Sequence, residues 1–220
     1  MRSWISIRKD TRLPHEIGIE MTPQALQGLP TEDHGATIIA PLHIKARQLT
    51  PFTHIGVNWQ PYGHSNIPFI KPHFDIHFYI ISNEEREAIP EYSARTASAF
   101  NLPLPGSAYM PLDYSRPPGQ GAVYPQMGKH WLPLALAPYL PFTKIMVYGS
   151  YNGKFIFVEP MISLDYLLAN IDSKNNDYSQ PLKFKKAGYY PTKYNIYRDP
   201  KTGNIKITLT NFIARAASPN

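Results

Sequence analysis

The stretch KIMVYGSYNGKFIFVEPMI, Lys144–Ile162, decides the fold class. Two runs rich in β-branched and aromatic residues flank Asn152 and Gly153. Asn-Gly is the strongest short hairpin signal, because both central positions of a type I′ turn need φ > 0. Outward from this hairpin, the same enrichment recurs in ATIIAPL (Ala36–Leu42), HIGVNWQ (His54–Gln60) and HFDIHFYII (His73–Ile81). A second hairpin is expected near the C-terminus, where YNIYRD and NIKITLTNF flank PKTG at Pro200–Gly203.

Composition supports strands over helices. The chain has 220 residues, 43% of them hydrophobic, enough to bury a core without disulfides or a structural metal. Its fifteen Tyr and ten Phe suit a pleated, half-buried surface. The 23 Pro are about twice the ordinary share, and each removes an amide donor and blocks helix interiors. Only three short helices carry start signals. Thr22-Pro23 ahead of Gly28 reads as a cap, a first-turn proline and a stop, Ser82 with Glu85 forms a capping box, and Ser163 opens LDYLLAN. The expected fold is therefore mainly β: an antiparallel β-sandwich or barrel-like core with a few short helices and long Pro-rich loops. Residues 101–141, the most proline-rich part, form a long excursion expected to be an ordered functional or packing loop. The polar stretch Asp172–Gln180 reads as a linker, dividing a main domain (1–171) from a C-terminal hairpin module (181–220) packed on it. A single domain over 1–220 is the alternative.

The absence of Cys excludes a disulfide framework, thiolate zinc sites and a cysteine nucleophile. No apolar run approaches the roughly 18 residues of a membrane span, and the N-terminus lacks a signal-peptide core, so the chain as written reads as cytoplasmic. Removal of a leader would make it exported. The net charge of +6 is concentrated late, in KFKK at Lys183–Lys186 with Lys193, Arg198, Lys201 and Lys206 downstream. Without a helix-turn-helix, zinc finger or aromatic RNP-like strand, nucleic acid is not an expected partner, and the lysines read as a solvated hairpin face.

Four of the eight His fall at His54, His64, His73 and His77. In PHFDIHFY (Pro72–Tyr79), residues two apart share a strand face, so His73, Asp75, His77 and Tyr79 point one way and Phe74, Ile76 and Phe78 the other. A straight strand sets the Cα atoms of His73 and His77 roughly 13 Å apart, too far for both rings to meet comfortably on one ion. Further ligands must come from elsewhere. His130, in PQMGKHW, and Glu159, an acid amid FIFVEP, are the candidates, and a buried carboxylate is costly unless paired or coordinated. Neutral imidazoles with one carboxylate suit Zn, Mn, Fe or Ni. One divalent metal ion is therefore expected on His73, His77 and His130 or Glu159. His64 is expected as a rim ligand, Asp75 as a ligand or an orienting residue, and Tyr79 as an orienting residue behind the ligands. An open coordination position would activate water for a hydrolytic or oxidative reaction. Nothing specific is expected of His15, His34 or His43. No G-x-S-x-G, P-loop, dinucleotide glycine fingerprint or H-E-x-x-H occurs.

Several of these segments together resemble one family: GLPTED after a short helix, NWQPYGH, PHFDIHFY with an acidic helix behind it, PQMGKHW, PFTKIMVYGSYNGKFIFVEPMI and a closing Tyr-rich hairpin. They are similar to a bacterial domain family of uncharacterised activity. Its known member is controlled by a sigma-E factor and its anti-sigma partner and assembles into a homo-oligomeric ring. The resemblance runs from about residue 4 to residue 213 and is most specific in PHFDIHFY and MGKHW. It implies a homo-oligomer and draws attention to His64, His73, His77, His130 and Glu159. A non-enzymatic, stress-regulated assembly protein holding an apolar or aromatic small molecule is the alternative to a metal protein, with the Tyr/Pro-rich 101–141 stretch as the pocket or subunit contact.

Overall fold

The computed structural model describes residues 1–32, 35–64 and 68–219. His34, and Asp33 of the GLPTED block, lie outside the described residues. In chain order the first strands are β1 (Arg2–Ile7), β2 (Pro14–Met21), β3 (Thr37–Pro41), β4 (His54–Gln60) and β5 (His73–Tyr79). The Pro-rich excursion contributes β6 (Tyr114–Ser115), β7 (Val123–Tyr124) and β8 (Gly128–Pro133). Then follow β9 (Lys144–Tyr151), β10 (Lys154–Ser163), β11 (Ser173–Asp177), β12 (Gly188–Arg198) and β13 (Ile205–Arg215). Four short helices decorate them: α1 (Ile44–Leu49), α2 (Asn83–Glu87), α3 (Ala97–Asn101) and α4 (Leu164–Leu168). None of the described helices is long and apolar enough to cross a membrane.

The strands form two antiparallel sheets. One runs β1-β2-β13-β12-β11, the other β3-β4-β5-β10-β9-β8-β6 with β7 also on β8. The structure is mostly β and sandwich-like, as the sequence predicts. The Asn-Gly hairpin joins β9 to β10 as expected: Asn152 and Gly153 take φ of 48° and 69°, and Tyr151 pairs with Lys154 across them.

Alternation along the strands builds the core between the sheets. Ile17 and Ile19 of β2 and Ile207 and Leu209 of β13 meet Ile55, Val57, Phe74, Ile76, Phe78, Val158 and Ile162 of the larger sheet. Each such side chain contributes about 1.5–3 kcal/mol by leaving water. The smaller sheet also buries a carboxylate. Glu16 accepts hydrogen bonds from the Thr208 hydroxyl, Asn195 Nδ2 (3.0 Å) and Tyr197 O–H (3.2 Å), so its lone pairs are satisfied on folding.

Several sequence expectations change. The stretch expected to be a linker, Asp172–Gln180, contains β11, an edge strand whose regularity comes from pairing with β12 rather than from its polar sequence. The C-terminal hairpin lies in one sheet with β1 and β2, since β13 pairs with β2 from Ile205↔Met21 to Thr210↔Glu16. A cut at 171–181 would therefore divide the strands of a single sheet. Ser82 and Glu85 do form a capping box on α2. Ser163 stands at the N-cap of α4 but turns its hydroxyl to the Asp165 carboxylate instead of the backbone. The Thr22-Pro23 signal yields one 3-10 turn, Pro23–Leu26. Helices α1 and α3 were not expected. The first is capped by His43, whose Nδ1 accepts from Lys45 N at 3.2 Å.

Candidate metal centre

The phase of β5 sets the centre. With Phe74, Ile76 and Phe78 turned into the sandwich, His73, Asp75, His77 and Tyr79 must point out of it. That outer face is not left in water: every residue of β5 is buried. Neighbouring strands keep the same phase. β10 presents Phe157, Glu159 and Met161 outward, β9 presents Ile145, Val147 and Gly149, and β8 presents His130 and Leu132. The Pro-rich excursion lies over this face, bringing Met127 and Tyr124 onto it, and α3 adds Phe100. Gly149 is required here. It pairs with both His130 and Phe157, and a Cβ on it would stand 2.1 Å from the Phe157 ring. Gly63 serves His64 similarly. Its φ of +66° and close approach to the Phe69 and Ile70 backbone leave no room for a side chain, and the next amide, His64 N, is fixed to Phe69 O at 2.9 Å.

Among the described residues two groups of three donors result, each with its donor atoms within 4.8 Å of one another. In the first, His77 Nε2 lies 3.5 Å from Glu159 Oε1 and His130 Nε2 lies 3.5 Å from Glu159 Oε2. In the second, His73 Nε2 lies 3.1 Å from Asp75 Oδ1 and His64 Nε2 lies 3.7 Å from Asp75 Oδ2. Donors held at about 2.1 Å from a tetrahedral ion stand about 3.4 Å apart. In the first group each imidazole stands at about that distance from one carboxylate oxygen.

Hydrogen bonds on the far ring nitrogens assign the tautomers. His130 Nδ1 lies 3.1 Å from Ala122 O and His73 Nδ1 lies 2.7 Å from Lys71 O. A carbonyl only accepts, so Nδ1 carries the proton and, in the neutral ring, Nε2 turns a lone pair toward the carboxylate. The two groups then diverge. Burial would lower the pKa of His73, but the Asp75 charge and hydrogen bond outweigh it and raise it. Burial works against the Asp75 carboxylate too, yet His73 and His64 hold its pKa well below the ordinary value. A proton can satisfy that pair. In the other group burial, then the neighbouring His130, pushes His77 down to about 3, and burial takes His130 to about 4. Glu159 is pushed well above its usual range by burial and then by the Asp75 charge. Both His77 ring nitrogens and Glu159 Oε2 are buried without a hydrogen-bond partner, as are His73 Nε2 and Asp75 Oδ1 of the other group. Uncharged imidazoles facing an unsatisfied carboxyl group are what a cation would complete.

The residues singled out in the sequence thus all lie on one face, but in two groups instead of one. His73 falls with His64 and Asp75, while His77 takes both His130 and Glu159. The reason is span: His73 and His77 stand four residues apart on β5, so each meets its own carboxylate, Asp75 two positions along the strand for His73 and Glu159 on the neighbouring β10 for His77. Asp75 is placed as a donor in the second group, with His64 and His73. Tyr79 stacks on His77 at 5.5 Å and on His54 at 4.8 Å, and its hydroxyl donates to Gln126 O at 3.2 Å. Sequence reading missed Tyr124. Its hydroxyl lies 2.9 Å from His64 Nδ1 and its ring packs on both His64 and His130, so one side chain covers the two groups. Its place in a Pro-rich loop gave no periodic signal. The chain matches no family model, no curated protein and no solved structure.

Proposed function

We propose that the protein binds one divalent metal ion through His77, His130 and Glu159. The observation that carries this reading is a buried group in which neither His77 Nε2 nor Glu159 Oε2 has a hydrogen-bond partner, and whose three donors, one each from His77, His130 and Glu159, lie within 4.8 Å of one another. Two His and one carboxylate are the donor set of zinc hydrolases and of non-haem iron(II) oxygenases, so Zn²⁺ is the first ion to test and Fe²⁺ the second. His64, His73 and Asp75 form the polar surround, able to settle as a proton-satisfied pair. A three-donor set leaves a coordination position open, which favours metal-dependent hydrolysis as the chemistry. The ring-forming family resemblance supports a homo-oligomeric setting for the same centre.

The test is elemental analysis of untagged protein, stripped with chelator and reloaded with Zn²⁺. About one equivalent should be retained by the wild type and lost in His77→Ala, with Phe78→Tyr, on the other face of the same strand, as a control. Equal metal content in His77→Ala would reject the assignment.

A further inference from the structure

A second feature lies at the end of the sandwich, away from the imidazoles. A cleft of about 310 Å³ is walled by Ile81, Leu104, Tyr109, Phe155, Phe184 and Tyr190. This is within the usual range for a small-molecule site, roughly 300–1,000 Å³. Its walls are hydrocarbon and aromatic, but its rim is cationic: Lys154, Lys183, Lys185 and Lys186 line it, with Glu85 as the single acid among the described lining residues. Glu85 is already engaged, since its Oε2 accepts from Ser82 N at 2.9 Å and its Oε1 faces Lys154 at 3.8 Å. Among the described residues neither Lys183 nor Lys186 forms an ion pair with a carboxylate.

The rim is held in place by the fold. The amides of Leu182 and Lys183 both donate to Ala108 O, at 3.0 and 2.9 Å, which ties the lysine segment to the Pro-rich excursion. Phe184 is fixed on both sides of its peptide, its N–H donating to Ser218 Oγ and its carbonyl accepting from Ser218 N. Its ring packs on Tyr190 at 4.4 Å. The ammonium groups of Lys183 and Lys185 lie over the Tyr109 ring, at 5.9 and 5.0 Å. An aromatic face orients a cation without neutralising it, so the positive charge of Lys183 remains available at the mouth.

From this charge complementarity we infer that the cleft binds an amphipathic small molecule with an apolar body and an anionic head, a medium-chain carboxylate being the simplest case. The body replaces water along Leu104, Phe155 and Tyr190, and the head sits between Lys183 and Lys186. The proposal is independent of the metal centre, whose residues contribute nothing to the cleft.

Calorimetry on chelator-treated protein with decanoate, decanol and decyltrimethylammonium, each below its micellar concentration, tests it. Decanoate should bind saturably and at least tenfold tighter than decyltrimethylammonium. Its affinity should weaken with added salt and fall about fourfold for each methylene removed. The doubly substituted Lys183→Glu, Lys186→Glu protein should lose at least tenfold in decanoate affinity with an unchanged melting temperature. If that protein folds poorly, Lys183→Gln with Lys186→Gln carries the same expectation. Absence of decanoate binding, equal binding of the cationic probe, or full affinity in the lysine variants would overturn the inference. So would a concentration-dependent dimer that decanoate does not displace, which would assign the cleft to a second copy of the chain.

Discussion

Each sheet buries a glutamate, and the two are treated in opposite ways. Glu16, on the five-stranded sheet, is met by Thr208, Asn195 and Tyr197, each offering a proton. Glu159, on the eight-stranded sheet, is met by the Nε2 atoms of His77 and His130, and its Oε2 has no hydrogen bond. A carboxylate surrounded by donors is complete within the protein. One that faces the neutral His130 Nε2 lone pair is complete only with a proton of its own or a metal ion, and this difference separates a structural acid from a candidate ligand.

Substitutions should separate the two glutamates experimentally. Glu16→Ala should cost about 3 kcal/mol, because buried donors lose their acceptor. Denaturant unfolding should show that loss equally with and without Zn²⁺. For the wild type, Zn²⁺ at a hundredfold excess over its dissociation constant should add about 2.7 kcal/mol. At about 2–4 °C per kcal/mol for a chain of this size, the melting temperature should rise roughly 5–10 °C. Calorimetric scans of His77→Ala and Glu159→Gln should show no such rise. Gly149→Ala should cost about 1–3 kcal/mol by driving a methyl group into the Phe157 ring, and elemental analysis should show weakened metal retention, since the same ring packs on both His77 and His130. In chelated protein, Glu159→Gln should change stability least, by about 0.5 kcal/mol or less, because its Oε2 has no hydrogen bond to lose. A loss as large as that of Glu16→Ala would show that Glu159 is held by the protein alone.

Most of the larger sheet was legible because β4, β5, β9 and β10 carry period-two alternation or dense β-branched and aromatic runs. In the smaller sheet, β2 and β11 were not. In β2, the acids Glu16 and Glu20 interrupt the apolar pattern, and the partners that make burial of Glu16 tolerable lie about 180–190 residues away. β11, SKNND, has no strand signature at all, and Asn175 within it takes φ of 59°. For the centre, the residue types were legible and the grouping was not. Strand periodicity puts His73, Asp75 and His77 on one face, but only the pairing of β8 with β9, β9 with β10 and β10 with β5 brings His130 and Glu159 to His77.

The pairing of β2 with β13 also constrains how the molecule is made. Ile19 sits opposite Ile207, so an early-synthesised strand must wait for nearly the whole described chain before it acquires that neighbour. Contacts this distant in sequence slow folding, and an unpaired hydrophobic edge in the meantime invites association between nascent chains. The smaller sheet can close only late, after β13 has emerged, so conditions that lengthen translation should expose that edge to chaperones for longer.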